Sequence, residues 1–369
     1  MLIGRPVKKV LQIVGARPNF MKIAPVFEAL RRRPGLRQLL VNTGQHYDEA
    51  MAGIFLREFG LPQPERDLDV GSGSHAVQTA KVMIGFEQVC LETRPDLVVV
   101  VGDVNSTMAA TIVATKLGIP AAHVEAGLRS NDRTMPEEIN RIVTDRLAEL
   151  LLTPSADADA NLLGEGVAPD RIHRVGNVMV DTLFRFLPQA KFERVRDRVR
   201  VEPKRYVVLT LHRPSNVDER HRLTAMMNVM QTIGARLPVV FPVHPRTRAR
   251  LDEMGFAANG HGVLLTEPMG YLDFLSLTSN ARIVLTDSGG LQEESTALGV
   301  PCLTLRENTE RPITVIEGTN RVVGTDPAAI LAAFDEFMAA PPPPRCPALW
   351  DGRAAIRIAD AIDAFMKPR

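Results

Sequence analysis

The chain has 369 residues, is 45% hydrophobic, and carries 44 basic against 43 acidic side chains for a formal net charge of +1. That is enough for two ordinary domains with packed cores, and the balanced charge excludes a global field favouring nucleic acid or a membrane surface. An anionic ligand has to be held locally. Cys90, Cys302 and Cys346 are far apart and lack metal-ligand spacing. They read as core or bystander thiols of a reducing compartment, so a cytoplasmic setting is expected.

The first element is the strand "VLQIV". Basic residues precede it, but the apolar run is about six residues, shorter than a signal-peptide core, and Gly-Ala-Arg-Pro follows at once. Nowhere does an apolar stretch reach the roughly 18 residues a membrane span requires. After it come "QLLVN", "DLVVVV" and "AAHV", then "YVVLTL", "VVFPV", "GVLLT", "RIVLT" and "PCLTL". Each is followed by a polar or glycine break and a helix-like segment. Their continuous apolarity predicts strands covered on both faces, as in parallel sheets flanked by helices.

The series is interrupted between about Val180 and Arg205, where "FLPQAKFERVRDRVRVEPKR" is charged and holds no strand run. A domain junction is predicted there. The halves also echo each other: in "ATKLGIPAAHVEAG" and "TALGVPCLTLRE" a helix ends at Gly118 or Gly299 and a proline follows two residues later. Glycine supplies a left-handed cap and proline blocks continuation. The expected architecture is α/β, with two Rossmann-like doubly wound domains over residues 1–180 and 205–345 and a ligand cleft between them. Past the stiff "PPPP" of Pro341 to Pro344, the segment 346–369 ends in the amphipathic helix "RAAIRIADAIDAFM".

In open α/β sheets, ligands bind outside the carboxyl ends of the strands, and here those ends are chemically loaded. Arg17 and Lys22 follow the first strand, Asp103 follows "LVVVV", and Glu125 and Arg129 follow "AAHV". In the second half, His212 and Arg213 follow "VVLTL", His244 and Arg246 follow "VVFPV", and "TDSGGLQEES" follows "RIVL". Gly289 and Gly290 let backbone approach a ligand, and the helix beyond them presents free amides at its positive end, with the Ser288 hydroxyl beside them. Glu293 and Glu294 suit a first helical turn, and one of them could instead accept two ribose hydroxyls. These groups point to a nucleotide diphosphate. The "GSGSHA" of Gly71 to Ala76 has dinucleotide-fingerprint spacing but follows no convincing buried strand.

With these residues assembled, the chain resembles the non-hydrolysing UDP-N-acetylglucosamine 2-epimerase family. The matching blocks are "GARPNFMKIAPV", "TGQHYD", "GDVNSTMAA", "HVEAGLRS", "MPEEINR", "VGN", "TLHRPSNVD", "PVHPRTR", "GYLDFL", "TDSGGLQEE" and "ENTERPITVIEGTNRVVG", in family order. The resemblance implies a GT-B-like fold whose last helix crosses back onto the first domain. It also implies a homodimer and interconversion of UDP-GlcNAc and UDP-ManNAc without metal, nicotinamide or other cofactor. By position, Ser288, Gly289, Gly290 and Glu294 would hold diphosphate and ribose, and Phe274 would lie near uracil. Arg17, Lys22, His212 and Arg311 would surround pyrophosphate and sugar. Asp103, Glu125 and Glu137 match the family's catalytic carboxylates, and His212 is placed with them. Gln45 and His244 match an allosteric substrate site of some relatives, although Asp48 and the Pro214-Ser215 pair depart from those relatives.

The chemistry explains the set. The C2 proton of an N-acetylated sugar is not adjacent to a carbonyl carbon, so UDP has to leave C1 as the proton leaves C2, giving a 2-acetamidoglucal to which UDP returns. The departing diphosphate needs donors already in place, and C2 needs carboxylates with separated roles. Epimerisation of UDP-2,3-diacetamido-glucuronic acid is the alternative within the family style, and a UDP-sugar glycosyltransferase is the alternative of another class.

Overall fold

A computed structural model describes residues 7–44, 53, 56–256 and 262–367, with the Arg17 side chain left aside. The chain divides into two compact units, residues 1–182 with 348–369, and residues 183–347.

The first unit is built on seven parallel strands: β1 (Lys8–Val14), β2 (Leu36–Asn42), β3 (Arg66–Asp67), β4 (Leu97–Val101), β5 (Ala121–Val124), β6 (Leu150–Thr153) and β7 (Ile172–Arg174). They lie in the order β3-β2-β1-β4-β5-β6-β7. The second unit has six: β8 (Val207–Thr210), β9 (Val239–Pro242), β10 (Val263–Thr266), β11 (Ile283–Thr286), β12 (Cys302–Thr304) and β13 (Asn320–Val322). Their order is β10-β9-β8-β11-β12-β13. Both sheets reverse direction of winding after their third strand, which is the doubly wound Rossmann arrangement. The crevice rule places a ligand at the reversal, beside the ends of β1 and β4 in one unit and of β8 and β11 in the other.

Composition sets this layering. Every residue of β4, Leu97 to Val101, is buried, with Leu11, Ile13, Phe86 and Val113 in the same core as Val98 and Val100. In the second unit Val207 and Leu209 face one core, while Tyr206 and Val208 face another. Each such side chain contributes about 1.5–3 kcal/mol. The charged segment after residue 186 is not a bare linker: Phe192, Val195 and Val199 fill that second core.

The helix Ala354–Phe365 belongs to the first unit. Its opening amides, Ala354 N and Ala355 N, donate to Asp181 at 3.1 and 2.8 Å, and Trp350 Nε1 donates to Pro154 O at 3.0 Å. Cys90 and Cys302 are buried free thiols, pushed up to about 12 by burial. Among the described residues no helix is long and apolar enough to cross a membrane.

Candidate active site

Asp103, Glu125 and Lys22 stand around the reversal of the first sheet, and Glu137 lies in the first turn of the helix Pro136–Leu147. β1 ends at Val14, and the helix Arg17–Arg31 starts there with Asn19 as its brace: Asn19 Oδ1 accepts from Ala16 N at 3.0 Å and Nδ2 donates to Val101 O at 2.9 Å. Arg17 opens this helix, and Lys22, in its second turn, forms an ion pair with Glu125. Both side chains are more than nine-tenths buried. Gly102, which follows β4, has φ +68, a backbone that strains other residues, and a Cβ there would come within 3.0 Å of Lys22 Nζ.

Asp103 comes next. It does not cap the helix Asn105–Lys116 with its side chain, the role an acid at a strand end would otherwise suggest. Its Oδ2 instead takes two donors from Arg141, Nε at 3.0 Å and Nη2 at 2.9 Å, and its carbonyl takes Asn140 Nδ2 at 2.9 Å. Glu125 does not pair with Arg129, the obvious structural competitor, because Arg129 is held by Asp145 and by both oxygens of Glu165. Glu125 has φ 76, a left-handed backbone that costs a non-glycine residue of order 1–3 kcal/mol and gathers at functional sites.

The helix Pro136–Leu147 carries Glu137 and Glu138 in its first turn. They divide cleanly. Glu138 is buried, accepts from Ser130 N and Asn131 N at 3.0 and 2.9 Å, and pairs with Arg141, so it fixes the loop and the arginine that orient Asp103. Glu137 is half-buried and makes no side-chain hydrogen bond or ion pair among the described residues.

The second unit presents a glycine turn that opens a helix. β11 runs into Asp287 and Ser288, and the helix Gly289–Ala297 begins with free amides. A Cβ on Gly289 would lie 2.5 Å from Glu310 Oε1, whereas a Cβ on Gly290 meets nothing within 4 Å. Gly289 thus makes room for Glu310, and Gly290 leaves the backbone open to a ligand. Because the helix starts at Gly289, Glu293 and Glu294 stand in its second turn, and the first-turn explanation for them fails. Glu293 is there to hold Arg311, with Oε1 to Nε 2.7 Å. Glu294 receives Tyr271 Oη at 3.4 Å.

Asp287 organises the turn from below. It is fully buried and accepts from His212 N at 3.0 Å, Arg213 N at 2.9 Å and Asn216 Nδ2 at 3.1 Å, while His212 Nδ1 lies 2.9 Å away. Burial would raise its pKa, but the His212 hydrogen bond and charge and the two amides lower it overall. His212 leaves half its side chain exposed above this base, with Nε2 turned to no described partner. Asp287 was visible in the sequence as the acid of "TDSGG", yet only its partners, more than seventy residues away, disclose its role.

Glu310 is the second group that pattern reading missed. Its carboxylate lies 2.8 Å from Arg306 Nη2 and 3.6 Å from Arg213 Nη2. Burial opposes its ionisation, but Arg311, Arg306 and Arg213 outweigh burial and hold it down to about 2. Arg213, Arg306 and Arg311 thus gather beside a helix N-terminus, with Glu293 and Glu310 holding them in place.

Glu310 supports a first prediction. Its folded pKa lies below the ordinary value of 4.5, so its contribution is complete above about pH 4.5 and is lost as pH falls towards 2. That contribution is roughly 3 kcal/mol. Glu310→Gln is therefore expected to be less stable in urea near neutral pH but to lose less further stability on acidification than the parent. An unchanged acid limb would contradict this.

The remaining predicted residues are placed as follows. Phe274 is half-buried in the helix Tyr271–Ser279 and packs beside the core that contains Phe192 and Tyr206. His244 is exposed and caps the helix Pro245–Glu253 by accepting from Arg246 N at 3.3 Å, a structural task sufficient to explain it. Gln45 lies outside the described residues.

Two Rossmann-like units, one with carboxylates and one with a glycine turn opening a helix at the sheet reversal, define a protein of the GT-B-like class. Residues 28–363 match the family model described as UDP-N-acetylglucosamine 2-epimerase. The chain is 44% identical over 335 residues to UDP-N-acetylglucosamine 2-epimerase of Methanocaldococcus jannaschii, covering 88% of this chain and 90% of that one. It is 39% identical over 319 residues to UDP-2,3-diacetamido-2,3-dideoxy-D-glucuronate 2-epimerase of Pseudomonas aeruginosa, covering 86% and 88%. The crystal structure of the Methanocaldococcus jannaschii UDP-GlcNAc 2-epimerase in complex with UDP-GlcNAc and UDP matches with a TM-score of 0.87 at 41% identity, covering 96% of this chain and 99% of that one. The chain belongs to the UDP-N-acetylglucosamine 2-epimerase family.

Proposed function

We propose that the protein is an isomerase that interconverts UDP-N-acetylglucosamine and UDP-N-acetylmannosamine by eliminating UDP and adding it back. The observation that carries this reading is the contrast between the two sheets: arginines beside a helix N-terminus in one unit, and Asp103 and Glu125 at neighbouring strand ends in the other, with Glu137 on the helix that follows. The first suits a leaving diphosphate, the second suits proton transfer at a carbon.

In the elimination a carboxylate among Asp103, Glu125 and Glu137 takes the C2 proton, the C2–H electron pair forms the C1–C2 double bond, and the C1–O pair leaves with UDP. The organic product is 2-acetamidoglucal. Addition reverses each step, with the proton delivered to the opposite face of C2. Ser288, the amides of Gly289 and Gly290, Arg311 and His212 stabilise the departing charge, Glu294 takes ribose hydroxyls, and Phe274 lies by uracil. Preorganised donors of this kind are each worth about a hundredfold or more in rate. Arg17 and Lys22 complete the cationic set, and Lys22 also sets the charge around Glu125. Gln45 and His244 are proposed as contacts to a second, activating substrate molecule.

The experiment is a side-by-side incubation of purified protein with UDP-GlcNAc and with UDP-2,3-diacetamido-glucuronate, followed by chromatography. Conversion of the first to its 2-epimer is expected. Turnover of the uronate alone would move the assignment to that substrate, and sugar transfer that requires an added acceptor would make the protein a glycosyltransferase.

The protein is further proposed to act in the cytoplasm as a homodimer. On the helix His75–Thr93, Val77, Ile84 and Leu91 are 46%, 67% and 52% exposed at seven-residue spacing, which puts three apolar side chains on one face. Replacing Ile84 and Leu91 together by glutamate is expected to shift the protein to monomer in sedimentation. An unchanged sedimentation coefficient would remove this helix from the interface.

A further inference from the structure

The two strand-end turns that carry Asp103 and Glu125 share one buried anchor. His123 lies in β5 with no exposed surface. Its Nε2 is 2.8 Å from Gly102 O, and its Nδ1 is 2.6 Å from Asp145 Oδ1. A carbonyl oxygen only accepts, so Nε2 carries a proton. Asp145 Oδ2 accepts from Gly127 N at 3.0 Å and from Arg129 Nη1 at 2.7 Å, which makes Asp145 an ionised carboxylate whose Oδ1 also accepts. Nδ1 then carries a proton as well. Burial alone would raise the Asp145 pKa, but His123 and Arg129 bring it below the ordinary carboxylate value.

The charges around this ring come from every side. Arg129 continues from Asp145 to Glu165, at 2.7 and 2.9 Å. The Lys22–Glu125 pair flanks Gly102, whose Cβ position is 3.0 Å from Lys22 Nζ and 3.9 Å from Glu125 Oε2.

Resting on the reaction proposed above, we infer that His123 and Asp145 are a positioning pair that sets both carboxylate-bearing turns to one register. His123 holds the carbonyl of the residue before Asp103, and Asp145 holds the amide two residues after Glu125. Neither side chain touches substrate. The backbone they grip is left-handed, at φ 68 for Gly102 and φ 83 for Gly127, which glycine adopts freely; two residues before Gly127, Glu125 takes φ 76, and at a non-glycine residue such a conformation persists only when its surroundings over-determine it. An apolar pair would fill the same space without aiming either turn, whereas an ion pair this deep is costly to bury and is weak support for stability alone.

The test compares His123→Gln, which keeps one donor for Gly102 O, with His123→Leu, which keeps none, and adds Asp145→Asn. Misplacement by about 1 Å costs up to about a hundredfold in rate. So kcat is expected to fall about 10- to 100-fold in His123→Leu and Asp145→Asn, with partial rescue in His123→Gln and with KM and UDP affinity nearly unchanged. Nitrogen-15 spectra of wild-type protein are expected to show both His123 ring nitrogens protonated, and hydrogen exchange at the Gly127 amide should quicken in Asp145→Asn. These two readouts need no turnover, so they separate failure of this pair from failure of the reaction assignment. Equal kcat in folded His123→Gln and His123→Leu, or a singly protonated ring in the wild type, would overturn the inference.

Discussion

Asp103→Asn is expected to lower turnover of UDP-GlcNAc by about a thousandfold while leaving UDP affinity within about twofold. The asparagine keeps the size of the side chain and its carbonyl acceptor, and Arg141 stays fixed by Glu138, so the loop geometry survives. What disappears is the negative charge and the capacity to take a proton at a position about a quarter exposed to solvent. UDP, proposed to sit on the second unit, loses no contact. Glu125→Gln should behave similarly for turnover, with an added loss of stability because Lys22 would remain buried without its counter-ion. Glu137→Gln should cost turnover alone, since Glu137 holds nothing else in place. If all three variants lost UDP binding to the same extent, the carboxylates would be builders of the pocket and the elimination chemistry would lose its base.

Arg311→Ala is the second large effect, and it divides into two parts. Arg311 is more than nine-tenths buried and its Nε is 2.7 Å from Glu293. Removing one partner of a buried ion pair costs about 3–5 kcal/mol, so the melting temperature should drop markedly. Losing a donor to the leaving diphosphate costs a further factor of about a hundred or more in kcat. The double variant Arg311→Met with Glu293→Gln separates them: stability is expected to return in part, because Glu293 no longer leaves an unpaired buried charge while Glu310 keeps Arg306 and Arg213, and kcat stays low. Recovery of kcat along with stability would show that Arg311 serves the fold and not the leaving group.

Much of the fold was legible because buried parallel strands write themselves as continuous apolar runs. "VLQIV", "LVVVV", "AAHV" and "RIVLT" lie on β1, β4, β5 and β11, and the paired Gly118 and Gly299 do take φ 70 and 66 beyond their helices. The strands without such a run escaped notice. β3 is the exposed dipeptide Arg66–Asp67, β7 is Ile-His-Arg, and β13 is Asn-Arg-Val. β6, Leu150–Thr153, is apolar but follows the end of a helix so closely that the change of period has no room to show.

The site was legible as a set of strand-end residues and illegible as a network. Strand ends are adjacent in space through sheet order, which the doubly wound pattern supplies. Pairings such as Asp287 with His212, or Arg141 with Asp103, join residues 75 and 38 positions apart and depend on side-chain reach that no local pattern encodes. The acids of "QEES" fall in a first turn only if the helix begins beyond the two glycines, whereas the structure starts the helix at Gly289 and moves both acids up one turn. His244 shows what a strand-end pattern leaves unsaid: its Nδ1 also caps the helix Pro245–Glu253.

The central claim is that breakage of the C2–H bond and departure of UDP are one coupled event. Incubating the protein with UDP-GlcNAc in D2O, with no acceptor added, tests it most directly, with the recovered nucleotide sugars read by NMR and mass spectrometry. Deuterium at C2 of both epimers and nowhere else on the ring is the result this chemistry requires. Formation of UDP-ManNAc that retains the original C2 hydrogen would contradict it.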